Sequence, residues 1–227
     1  MSQEDLFNAI ITKASLKQDV YSETLTVFNK MKAESHSMVT AYQQANPGNG
    51  HRIPFEFSDH GPFEFEIKFG GDVLIFFMHS NIFDFSRDHE VMRSQYIRDD
   101  KNRSYCGIIH IFNFLADSFR YNRINDLGYL IGRVFVNREK HYFIEGKREI
   151  GQLYNNFATS VMDDEAVLSI ISSAIRYTLN FDLLTPPFDS LKEVSVMEMK
   201  NTIDSIQIRT AKRLGYRFQA DKVEEEG

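Results

Sequence analysis

Residues 63–69 read Phe63-Glu64-Phe65-Glu66-Ile67-Lys68-Phe69. Successive side chains of a strand point to opposite faces, so Phe63, Phe65, Ile67 and Phe69 share one face and Glu64, Glu66 and Lys68 the other. That period of two predicts a half-buried β-strand. The same chemistry spreads outward, since 14 of the 20 Phe residues lie between Phe55 and Phe143. An aromatic sheet therefore occupies the middle of the chain.

Upstream, Arg52–Ser58 predicts a strand that reaches the first across the turn cluster Asp59-His60-Gly61-Pro62. Downstream, Gly70-Gly71 predicts a tight hairpin. The next run, Val73-Leu74-Ile75-Phe76-Phe77-Met78, is apolar on consecutive residues, the pattern of a strand covered on both faces. Residues 81–102 are polar and read as loop. Tyr105 to Tyr121 reads as one long strand, with a helix over Leu115-Ala116-Asp117-Ser118-Phe119 as the alternative, and Leu127–Val136 pairs with His141–Glu145 across Asn137-Arg138-Glu139-Lys140. Gly128 and Gly132 predict close backbone approach, a bulge or strong curvature.

Both ends are helical. Residues 6–45 hold no Gly or Pro, and Ser2 with Asp5 forms a capping-box pattern. Tyr21, Leu25, Phe28, Ser35 and Tyr42 recur at helical spacing, predicting one long amphipathic helix, or two with a break near Ser15. Asn46-Pro47-Gly48-Asn49-Gly50 ends it. Beyond the sheet, a helix is expected over Ile150–Val161. Asp163-Asp164 caps another that carries Val167, Leu168, Ile171, Ala174, Ile175 and Leu179. Pro186-Pro187 breaks the chain, and Ser190 with Glu193 opens a last helix through Leu214.

Strands grouped between helices imply α+β architecture: a mostly antiparallel, curved sheet of about six strands packed by a long N-terminal helix and a C-terminal helical section. The expected organisation is one domain over residues 1–227: a helical segment at 1–46, the sheet at 52–147, C-terminal helices at 148–218 and a disordered tail at 219–227.

Composition narrows the function classes. A single cysteine, Cys106, rules out an intrachain disulfide and a multi-cysteine zinc site; set in a strand, it reads as a packed, inert thiol. The longest apolar run is far too short to span a membrane, and the N-terminus lacks a signal-peptide profile, so a cytoplasmic protein is expected. Formal charge is −6, yet residues 91–150 carry 11 Lys and Arg against 7 Asp and Glu. That local excess draws attention to Arg120, Arg123, Arg133, Arg138 and Arg148 as contacts for an anion.

Three clusters could carry chemistry. Asp126 precedes one strand, Glu145-Gly146-Lys147 ends the next, and Gln152 follows. This is the order of a PD-(D/E)xK nuclease, in which Asp126 and Glu145 would hold Mg²⁺ or Mn²⁺ and Lys147 would orient the attacking water. Glu-x-Lys recurs at Glu66-Ile67-Lys68 and Glu198-Met199-Lys200 and no proline precedes Asp126, so the pattern ranks as an alternative. His79, Asp84, Asp88 and His89 supply metal-ligand types, but without helical His-x-x-x-His spacing they read as a polar loop. His110, between apolar neighbours, reads as a hydrogen-bonded core histidine. Phe119-Arg120-Tyr121-Asn122-Arg123 interleaves bases with aromatics, but overall acidity argues against nucleic acid. Nucleophile elbows and phosphate-cradling glycine loops are absent.

The leading expectation is a non-enzymatic binding or regulatory module without a cofactor. Its partner would be a protein, or a small anion held near Arg120, Arg123, Tyr129 and Arg133. A third reading is an assembly protein that dimerises through an apolar patch at Leu25, Phe28 and Tyr42 on the N-terminal helix.

Overall fold

A computed structural model describes residues 2–47, 53–146, 156–182, 185, 187–197 and 199–200. Helix α1 spans Gln3–Ala45. At 1.5 Å per residue it is about 64 Å long. Ser2 closes the capping box at its start: the Asp5 amide donates to Ser2 Oγ at 3.1 Å and the Ser2 amide to Asp5 Oδ2 at 2.8 Å. The helix runs through Ser15 without a break and ends on Asn46, whose amide bonds the Tyr42 carbonyl. Gly48–Gly50 lie outside the described residues.

Among the described residues seven antiparallel strands follow: β1 (Phe55–Asp59), β2 (Glu64–Phe69), β3 (Asp72–Met78), β4 (Phe83–Asp84), β5 (Tyr105–Leu115), β6 (Tyr129–Asn137) and β7 (Tyr142–Gly146). Their order is β1-β2-β3-β5-β6-β7, with β4 paired to the start of β5. The β2–β3 hairpin turns on Gly70, whose φ of 55° a glycine adopts at no steric cost. Between β4 and β5 lie two 3₁₀ turns and the short helix α2 (Gln95–Asp99).

The expected strand through Tyr121 is shorter than its sequence pattern. β5 stops at Leu115 and the chain turns into helix α3 (Ala116–Arg120). The Ala116 amide still bonds Gly71 across the sheet, and the next residues close a helical turn. Helix α4 (Asp164–Leu179) starts on Asp163, whose carboxylate accepts from the Ala166 amide at 2.8 Å. The helix expected over Ile150–Val161 is not helical where it is described: residues 157–159 form a turn and Val161 bridges to His141. The last helix does not open at Ser190, which lies inside the short helix α5 (Phe188–Leu191); residues 193–195 are irregular, and residues 196–197 and 199–200, within the expected span, are helical. Residues 201–227, with Leu214 and the acidic tail, lie outside the described residues.

One face of the sheet holds the main core. Phe65, Ile67, Leu74, Phe76, Ile109, Ile111, Val134 and Ile144 meet Val27, Phe28 and Met31 of α1 and Val167, Ile170, Ile171 and Ala174 of α4. Phe65 and Phe76 stack at 4.5 Å between centroids. Gly107 brings α1 down onto β5, because a Cβ there would collide with the Thr24 side chain. The stripe proposed as a dimer seam is used internally: Phe28 is fully buried, Leu25 packs on the core, and Tyr42 meets Phe55 edge-on.

Between Ile111 and Phe112 the β5–β6 register slips by one residue, with Ile111 opposite Gly132 but Phe112 opposite Leu130. Ile131 is therefore the extra residue of a β-bulge. It lets Tyr129 and Ile131 join Val134 and Val136 on the helix-covered face, although 131 and 134 differ in parity.

Candidate functional site on the second sheet face

Cross-strand partners share a face. On the side away from α1 and α4, the register therefore sets Phe77, His110, Arg133 and Glu145 in one row across β3, β5, β6 and β7. Ile75, Phe112 and Leu130 form the adjacent row.

Among the described residues, only part of this second face is covered. Val91 and Ile97 pack there with Cys106, Ile108, Phe135, Phe143 and Phe157 in a second cluster. A polar clamp fixes that cover. Arg103 Nε donates to Glu139 at 3.0 and 3.1 Å, and the Tyr96 hydroxyl donates to the same carboxylate at 2.9 Å. Buried Asn137 donates in turn to the Tyr96 oxygen at 2.9 Å. Burial pushes the Tyr96 hydroxyl up to about 12, the Glu139 carboxylate adding to the shift and Asn137 opposing it. Burial likewise drives the Cys106 thiol far above its usual value, with Asp84 adding to it, so the thiol stays protonated and inert.

The described residues leave the other half open. Phe77 and Leu130 are 37% and 40% exposed, and Ile75, His110, Phe112 and Phe114 are half-buried. The Phe77 and His110 rings lie within 7° of parallel. Phe114 rests over the Gly128 backbone and meets Phe119 at 5.4 Å, closing one end. His110 is therefore a surface histidine between two phenylalanines, not a core one. Burial, then the charges of Arg133 and His79, hold its imidazole below the usual value and favour the neutral form.

Arg133 is ion-paired with Glu145, whose other oxygen faces His89 Nε2 at 3.3 Å. His89 Nδ1 accepts from the Val91 amide at 3.3 Å, which leaves the neutral ring's proton on Nε2, toward Glu145. A small cavity of about 250 Å³ opens beside this pair, lined by Leu130, Arg133, Glu145 and Gly146 among others.

The four residues expected to grip an anion do not converge. Arg133 lies on the second face. Tyr129 is buried on the first, against Phe181 at 5.6 Å, because the bulge separates the two. Arg123 is 8% exposed, with Nε 3.0 Å from Asp126 Oδ2. Arg120 lies over the Tyr121 ring at 5.3 Å. Arg138 is paired with Asp100 at 2.6 Å, and Arg148 lies outside the described residues.

The nuclease pattern is also spread out. Asp126 accepts from the Ser118 hydroxyl at 2.6 Å and pairs with Arg123, while Glu145 holds Arg133 and His89. Glu145 sits opposite Arg133, four residues or about 13 Å along β6 from Tyr129. Asp126 precedes that strand. Lys147 and Gln152 lie outside the described residues. In the histidine loop, His79 Nδ1 accepts from the Asn81 amide and Asp84 accepts from the Ser104 hydroxyl. Among the described residues, no three of His, Cys, Asp and Glu gather closely enough to hold a metal ion.

The sequence reading missed the open row itself. Its signal was the consecutive apolar run of β3, which implies two covers; the described residues supply one in full and half of the other. No helix among the described residues is long and apolar enough to cross a membrane. No protein-family model, curated protein or solved structure matches the chain.

Proposed function

We propose that the protein is a non-catalytic binding module that docks an apolar segment of a protein partner on the open half of the second sheet face. The observation behind this reading is Phe77, Ile75, Phe112 and Leu130 forming a continuous aromatic and aliphatic surface where an antiparallel sheet facing water carries polar side chains. β2, next to it, shows that ordinary pattern with Glu64, Glu66 and Lys68. Glu145 neutralises Arg133, so the centre of the surface suits an apolar contact better than an anion. Such patches are where partners attach.

Nile red, an uncharged dye, reports the surface directly. Fluorescence should rise with the folded wild type and fall several-fold in Phe77→Ser/Phe112→Ser, whose circular dichroism should be unchanged. Arg133→Gln should bind the dye as wild type does. Equal binding by wild type and the double serine variant would overturn the proposal. Loss of binding in Arg133→Gln would transfer the site to an anion held by that guanidinium.

A further inference from the structure

The first thirteen residues of α1 overhang the sheet. From Gln3 to Ser15 every position is exposed, and burial begins only at Leu16. Within this stretch Leu6, Phe7, Ile10 and Ile11 are 47%, 52%, 55% and 63% exposed. At 100° per residue these four share one side of the helix. The opposite side faces the body: Asn8, Thr12 and Lys13 line a cleft with Asn102 and Arg138, and Lys13 Nζ lies 3.6 Å from the Tyr105 ring centroid. The apolar stripe points about 180° away from that cleft. None of the described elements of the same chain reaches it. An isolated helix of this length is marginal in water without a packed face.

We infer that this overhang pairs with the same overhang of a second copy, antiparallel and about a two-fold axis, as a weak homodimer. The spacing 6, 7, 10, 11 is symmetric about its midpoint, so an antiparallel copy sets Leu6 against Ile11 and Phe7 against Ile10, as an isologous contact requires. In that arrangement the two Lys13 residues stand about 13 Å apart along the axis, as do the two Glu4 residues, so like charges do not meet. Each body meets the shared span from the side opposite the stripe, at Asn8, Thr12 and Lys13, which leaves the seam to the second copy. Half-exposed, each of the four side chains offers on the order of 80–100 Å². Two copies together remove roughly 700 Å² from water, less than the ~1,000 Å² of a durable interface, so pairing depends on concentration.

The test is sedimentation velocity on the full chain from about 5 to 500 µM. The wild type should shift from monomer toward dimer across this range. Ile10→Asp, at a position the fold leaves exposed, should weaken association at least tenfold while keeping the wild-type melting curve. Phe77→Ser, on the open sheet face, should dimerise like wild type, which separates this contact from partner docking there. A wild type monomeric at the highest concentration would overturn the inference. So would unchanged self-association in Ile10→Asp.

Discussion

Gly107 and Thr24 show how one residue sets the distance between two layers. A β-carbon on Gly107 has no room, because the Thr24 side chain already occupies its place. Thr24 cannot swing aside freely, since its hydroxyl donates to the Val20 carbonyl at 2.7 Å inside the helix. Gly107→Ala should therefore lift α1 from β5 and destabilise the protein by about 1–3 kcal/mol, as overpacked cores do. Urea unfolding would measure it. Thr24→Gly should recover part of that loss when combined with Gly107→Ala, a non-additivity that independent sites would not show. The sequence marks such points only as glycines in strands. Gly128 and Gly132 stood out because two fell within one short stretch, and both mark real features: a phenylalanine ring over the backbone at one and a bulge at the other. Gly107 carried the same signal alone, and its partner is 83 residues away in sequence.

Among the elements, strands of period two and the capped helices were legible, because one buried face leaves a periodic trace. The join at Leu115 was legible only as an alternative to a continuous strand: apolar residues continue through it, and the bend is fixed by hydrogen bonds to Gly71 and Asp117. The segment between β4 and β5 was less legible still, since it looks like solvated loop yet covers half a sheet face through Val91, Ile97 and the Tyr96 clamp. This segment should announce itself in alkali. Tyr96 has a folded-state value near 12 against about 10 when unfolded. Its contribution is thus complete below pH 10 and is lost as pH rises from 10 toward 12. Chemical unfolding at pH 9 and pH 11 should show a steeper loss for the wild type than for Tyr96→Phe. At pH 7 the same variant should be less stable by about 1–3 kcal/mol, because the buried Asn137 amide loses an acceptor. Identical pH slopes for the two proteins would exclude this clamp as the fastening of the segment.

At the scale of the whole molecule, the candidate site was hidden for a geometric reason. Residues 129 and 133, both expected near one anion, have the same parity, but a single extra residue at Ile131 sends them to opposite faces. A one-residue slip inverts every side chain beyond it, and nothing in the composition of a strand announces it. What remains visible in sequence is surplus hydrophobicity, found twice: in β3 and at the start of α1. Both surpluses bear on how local stability should be distributed. β5 and β6 are interior strands of the sheet and carry buried core residues on both faces, so their amides should exchange slowest with deuterium, near the rate set by global unfolding. Residues 3–15 have helical hydrogen bonds but no buried side chain and should exchange fastest of the α1 amides. Raising the protein concentration about a hundredfold should slow that overhang alone in the wild type, because dimer formation covers Leu6, Phe7, Ile10 and Ile11 and opening then requires dissociation. In Ile10→Asp the overhang should stay fast at both concentrations while β5 and β6 remain protected. Slow exchange over residues 3–15 at low concentration would instead mean that the helix is covered within one chain, and the two-fold pairing would then have no apolar face left to bury.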